Sequence, residues 1–367
     1  MTTLPTLIAL ALAPLLAHTA TPTPPAIPAN HPHAALLEQV STDRLMQTLT
    51  DLPPSRSPRG GGANQRALVD TERWITEQLE ALGYQPTVLP IESATGPTFE
   101  NAPPAWTNIL IEIPGQPDPA RTTPPETIIL SAHYDSVQGS PGADDDGTGV
   151  AALLEFARIL RDHRPARTIR LIFFNLEETG LIGSRDYCST TLREAINADD
   201  EKVIGMVSLE MLGYFSDEPN SQGSPVPILP GGEPAPTVGD FIAMVGLAAH
   251  RGFSRPWADA MLAGAPGLKV QRADVFPLPI PDILRSDHAP FLLLGIPAVM
   301  LTDTANFRNP NYHRASDSIA TIDAERFALV TRGVLAAILE LAGEAEAPAD
   351  DDEQADPAPL PATQADR

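Results

Sequence analysis

Short apolar runs that each break off at a histidine or a carboxylate constrain this chain more than any other feature of its sequence. Thr127-Ile128-Ile129-Leu130-Ser131-Ala132 stops at His133, Thr168 to Phe174 leads into Glu177-Glu178, and Lys202 to Leu209 meets Glu210. Runs of this kind, without the alternation that a half-wet strand shows, predict strands buried on both faces. Thr107 to Ile113 does alternate, Pro86 to Ile91 is β-like, and Pro297 to Leu301 forms a last short strand. Helical spacing marks Ala34 to Leu52, Gly149 to Leu160, Val238 to His250 and Ala324 to Leu341. Asn64 can cap a further helix that passes through Trp74 and Leu79 and stops at Gly83. Strands alternating with helices predict an α/β fold, a three-layer αβα sandwich around a mixed, mostly parallel sheet. The Pro- and Gly-rich stretches from Asp217 to Pro236 and from Pro266 to Pro281 read as long surface excursions.

Residues 34–343 form one domain, and an apolar content of 43% is enough to fill its core. The ends differ. Leu4 to Leu16 is too short an apolar run to span a bilayer and fits the centre of an export signal over residues 1–20. Thr, Pro and Ala then make residues 21–33 a linker. From Glu344 the chain carries eight acidic residues against one Arg, which predicts a disordered acidic tail over 344–367. An export signal predicts a secreted or periplasmic protein with no stable membrane insertion; the alternative is an unstructured start on a cytosolic one. The net charge of -23 argues against a nucleic-acid partner, because phosphate demands a basic surface. Cys188 is the lone cysteine, so no intramolecular disulfide can form. Oligomeric state is not encoded in any pattern of the sequence.

The chemistry sits just after the predicted strands, the edge where open α/β sheets bind ligands. His133 can be a metal ligand or a hydrogen-bonded structural histidine. Asp135, two residues on, lies on the same side and can accept the other ring N–H. Asp144-Asp145-Asp146 repel one another unless compensated; they make either a cation site or a polar turn with a helix cap. In Glu177-Glu178 neighbouring side chains diverge, so one can ligate while the other serves as base. Glu210 interrupts an apolar run and needs a cation, a proton or an ion-pair partner. His313 lies in a loop before the last helix. Together these imidazoles and carboxylates form a donor set that suits zinc better than calcium or magnesium.

His133 in AHYDS, Asp145 in GADDDGTG, Glu177-Glu178 in EETGLIGS, Glu210 in SLEML, Ser286-Asp287-His288 and Tyr312-His313 occur in this order over roughly residues 34–341. In them the chain resembles the dinuclear zinc aminopeptidase family, the secreted leucyl-type enzymes and their glutaminyl cyclase relatives. The resemblance implies a zinc-exopeptidase-like fold with two zinc ions per chain. His133 and Glu210 would hold the first, Glu178 and His313 the second, and Asp145 would bridge them. It implies Glu177 as general base and Tyr312 as the hydrogen-bond donor to the developing oxyanion. Asp287 and His288 match a motif beside the site, where with Asp135 they would support the ligands. Many family members have Asp where this chain has Glu210. The implied activity is removal of N-terminal residues from peptides with a free N-terminus. Cyclisation of N-terminal glutamine, or a non-catalytic binding domain on the same fold, are the alternatives.

Overall fold

The computed structural model describes residues 25–94, 105–116, 124–229, 232–275 and 281–344. The expected export signal, and all of the acidic tail after Glu344, lie outside these residues. In chain order the strands are β1 (Thr87–Pro90), β2 (Thr107–Ile113), β3 (Glu126–His133), β4 (Thr168–Phe174), β5 (Lys202–Glu210), β6 (Ile242–Leu247), β7 (Val270–Val275) and β8 (Ala298–Thr302). They form one sheet in the order β1-β2-β4-β3-β5-β8-β6-β7. β4, β3, β5 and β8 are mutually parallel, and antiparallel pairs β2–β4 and β6–β8 flank them. The sheet is therefore mixed, with a parallel centre.

The helices are α1 (Ala34–Leu37), α2 (Thr42–Asp51), α3 (Gly62–Ala81), α4 (Gly147–Leu160), α5 (Ile182–Ser189), α6 (Thr191–Asn197), α7 (Arg251–Gly264), α8 (His288–Leu293) and α9 (Ala324–Ala342). The two-residue period of a strand sorts the core into two clusters, one per face. Ile128, Leu130 and Ala132 of β3 join the cluster of α2, α3, α4, α7 and α9, while Ile129 joins that of α5, α6 and α8. β4 divides likewise, Leu171 and Phe173 against Ile172 and Phe174. That division is the expected three-layer sandwich. Burying one such aliphatic or aromatic side chain contributes roughly 1.5–3 kcal/mol. Gly205 shows how tight the layers are: a Cβ there would stand 2.1 Å from the Phe253 ring, so the bare strand is the ring's seat.

Four expectations need correction. The Ala34–Leu52 helix is two helices, because the Ser41 hydroxyl accepts from the Arg44 N–H at 3.3 Å and caps α2 afresh. Asn64 lies inside α3, which starts two residues earlier, and its side chain donates to the Arg59 carbonyl. Residues 238–250 hold β6 and a short turn rather than a helix; pairing with β7 and β8 decides a run that both periodicities accommodate. The expected excursion at 266–281 contains β7, and its residues 276–280 lie outside the described ones.

Candidate metal centre

Three neighbouring parallel strands deliver most of the site. His133 ends β3, Glu210 ends β5, and Glu177-Glu178 open the turn after β4. Asp145 precedes α4, and His313 lies between β8 and α9. His133 Nε2 stands 3.3 Å from Asp145 Oδ1 and 3.6 Å from Glu210 Oε1. His313 Nε2 stands 3.2 Å from both Asp145 Oδ2 and Glu178 Oε2. Two groups result, His133–Asp145–Glu210 and Asp145–Glu178–His313, with ligand atoms within 4.8 Å of one another in each. Asp145 belongs to both.

The three consecutive aspartates do three different jobs. Asp146 caps α4 by accepting from the Gly149 N–H, and it also accepts from the N–H groups of His133 and Met211, tying three elements together. Asp144 accepts from Gly213 N and Asn309 Nδ2. Asp145 alone faces the histidines. Adjacent residues of this segment thus supply a helix cap, Asp146, and a carboxylate that could hold a cation, Asp145. The backbone around them is bent hard: Leu176, Met211 and His313, none of them glycine, have φ of 60°, 62° and 59°. Each costs about 1–3 kcal/mol, strain that collects at functional sites.

Asp135 touches the centre through both its backbone and its carboxylate. The Nδ1–H of His133 donates to the Asp135 backbone carbonyl at 3.1 Å, while the carboxylate stands 3.5 Å away. That carboxylate also accepts from the N–H groups of Glu177 and Glu178 and so fixes the turn that carries them. Because a carbonyl can only accept, Nδ1 bears the proton and Nε2 keeps its lone pair for a ligand. Asp287 is buried near His133 and Glu210; burial pushes its carboxyl up to about 7. The His288 ring donates through Nε2 to the Ile283 carbonyl. Tyr312 stacks on His313 with centroids 3.7 Å apart, and its hydroxyl accepts from Arg285.

The arrangement demands positive charge. Burial acts to lower the pKa of His313, but the Asp145 and Glu178 carboxylates raise it to about 10. Burial, with Asp145 adding, raises Glu178 to about 7. Burial pushes Glu177 well above the usual carboxylate range, and Glu210 and Glu178 add to it. His133 Nε2 and Asp145 Oδ2 are buried without hydrogen-bond partners, a costly state that a divalent cation would relieve. A zinc ion fits this mixed nitrogen and oxygen donor set.

Several residues that support the site have no role readable in the sequence. Asp317 accepts from the N–H groups of Asp144 and Asp145 and holds the Asp145 backbone. Ser286 donates to Glu210 Oε2 at 2.8 Å. Buried Arg56 donates to the carbonyls of Tyr134 and Gly142. None has a strand-end signature; each lies in a loop whose partners are distant in sequence. A cavity of about 140 Å³ opens beside Glu210 and Tyr312 and runs over Ala243, Val245, Ala273 and Met300 of β6, β7 and β8. Val226, Leu229 and Phe241 close it.

Known proteins share this architecture and sequence. An Escherichia coli protein, YfbL, of uncharacterised function, is 35% identical over 216 residues, which is 57% of this chain and 65% of that protein. Leucine aminopeptidase 1 of Ajellomyces capsulatus is 28% identical over 203 residues, 51% of this chain and 47% of that enzyme. The chain thus spans less than two thirds of the curated relatives' length. The LapA aminopeptidase of Legionella pneumophila superposes with a TM-score of 0.62 at 21% identity, over 85% of this chain and 75% of that one, and so shares the fold. The sequence profile of peptidase family M28 matches residues 108–338, well over half the chain and every candidate ligand, and the chain belongs to that family.

Proposed function

We propose that the chain is a zinc-dependent aminopeptidase whose residues 34–343 form the catalytic domain, with two zinc ions held by His133, Asp145, Glu178, Glu210 and His313. The observation that carries this reading is the pair of donor groups sharing Asp145. When bound, the ions would act as Lewis acids, lowering the pKa of water and polarising a carbonyl. Glu177 would take the attacking water's proton on its carboxylate and pass it to the leaving amine nitrogen. Tyr312 would donate its hydroxyl proton to the developing oxyanion, since Arg285 already occupies the oxygen as a donor. The surplus of carboxylates would draw a substrate's free terminal ammonium.

The cavity supports an apolar first side chain. Its polar linings are already paired: Gln222 with Arg308 and Thr304, and Asn306 and Asp282 with Arg285. A polar substrate group entering it would lose water without a new partner. Export through residues 1–20 belongs to the same proposal; no helix among the described residues is long and apolar enough to cross a membrane. The direct test is Glu177→Ala, expected to lower leucyl-substrate turnover by about 10²–10⁴-fold with zinc content unchanged. Unchanged turnover, loss of both metals, or ammonia release from a Gln-initiated peptide without amino-acid release would contradict it.

A further inference from the structure

The long excursion between β5, which ends at Glu210, and β6, which starts at Ile242, supplies Gln222, Val226, Leu229 and Phe241 to the cavity. One buried side chain reaches both of its ends and its middle. Arg308 Nη1 donates to the carbonyls of Tyr214 at 3.3 Å and Phe241 at 2.7 Å, and Nε donates to Gln222 Oε1 at 2.7 Å. The guanidinium carbon lies 4.5 Å from the centroid of the Phe241 ring. Gly239 makes room for the arm: a Cβ there would stand 2.8 Å from Arg308 Cδ and Nε. Gln222 is in turn fixed by donating to the Thr304 hydroxyl at 2.9 Å, and the Gly223 N–H donates to the Phe307 carbonyl at 2.7 Å. Arg308 itself does not line the cavity.

We propose that Arg308 is a specificity-determining positioning residue, which holds the Gln222 and Phe241 wall so that the cavity keeps the shape that takes an apolar side chain. This rests on the reading that the cavity receives the substrate's first side chain. Only the planar fork of arginine presents donors to three acceptors set around it; the single ammonium of lysine cannot reach all three. With the fork lost, the Tyr214 and Phe241 carbonyls separate from Gln222, the wall relaxes, and large apolar side chains lose their contacts. A small side chain, which scarcely uses the wall, loses little.

The test compares Arg308→Lys and Arg308→Met with the parent enzyme on leucyl and alanyl chromogenic substrates, with zinc content and hydrogen exchange of the excursion measured in parallel. The leucyl-to-alanyl ratio of kcat/KM is expected to fall roughly ten-fold, chiefly through KM for the leucyl substrate. Zinc content should stay at the parent value and the Gln222 to Gly223 and Gly239 amides should exchange faster. An unchanged ratio, or equal losses on both substrates, would overturn the inference. Should both variants fail to fold, Gly239→Ala, whose Cβ would press on Arg308 Cδ and Nε without lining the cavity, displaces the arm instead; a falling ratio supports the inference and an unchanged one overturns it. A parent protein inactive on both substrates would sink the aminopeptidase reading instead, while faster exchange in the variants would still support, and unchanged exchange overturn, the hold of Arg308 on the wall.

Discussion

β3 and β5 end in His133 and Glu210, and the turn after β4 carries Glu177 and Glu178, whereas β6, β7 and β8 meet the cavity with the faces of Ala243, Val245, Ala273 and Met300. On the first half of the sheet the polar groups stand where the backbone leaves the strand, so they can converge without opening the sheet. On the second half the strands present mostly apolar side chains, beside Gln271 and Thr302, and an excursion folds over them. The two halves of the sheet therefore fail in different ways. At the strand ends the cost is electrostatic, a buried donor or charge left without a partner. On the strand faces it is volume, and volume changes are graded.

Asp145, the residue common to both donor groups, is the most sensitive position. Asp145→Ala is expected to remove measurable turnover on any aminoacyl substrate, a loss seen directly in a release assay. Retention of substantial activity would mean that the two groups do not act as one centre. A face substitution should behave otherwise. Ala273→Phe fills the cavity, so leucyl kcat/KM should drop about 10–100-fold while alanyl turnover and zinc content hold. Equal loss on both substrates would show that the face is coupled to the centre. The smallest effects are in stability. Removing the carboxylate that accepts from His133, Gly149 and Met211, Asp146→Ala, should cost about 3 kcal/mol in denaturant unfolding. Val245→Ala, which trims a partly exposed face, should cost about 1 kcal/mol. Reversal of that order would erase the distinction between ends and faces.

The same contrast explains what could be read from the sequence. A carboxylate or imidazole that halts an apolar run, as at His133 or Glu210, is conspicuous, and the strands that carry it are long and continuous. The layers, the mixed sheet and five convergent side chains were therefore legible. β6 was not, because its short apolar run fits a helix and a strand alike, and partners distant in sequence decide its state. α7 carries Pro256 inside it, and α5 begins beside two glycines, so neither shows the usual helical signature. Asp135 was found beside the His133 ring, but its further hold on the Glu177–Glu178 backbone gave no signal. Arg308 and Arg56 gave no signal, since an arginine in a loop looks solvated until the fold closes around it.

Zinc per chain, measured by elemental analysis on the purified protein after reloading and removal of loosely bound metal, tests the shared centre most directly. Two equivalents in the parent protein, with both lost in Asp145→Ala, are expected. One equivalent or none in the parent, or an Asp145→Ala variant that still holds two, would contradict a centre built on that carboxylate.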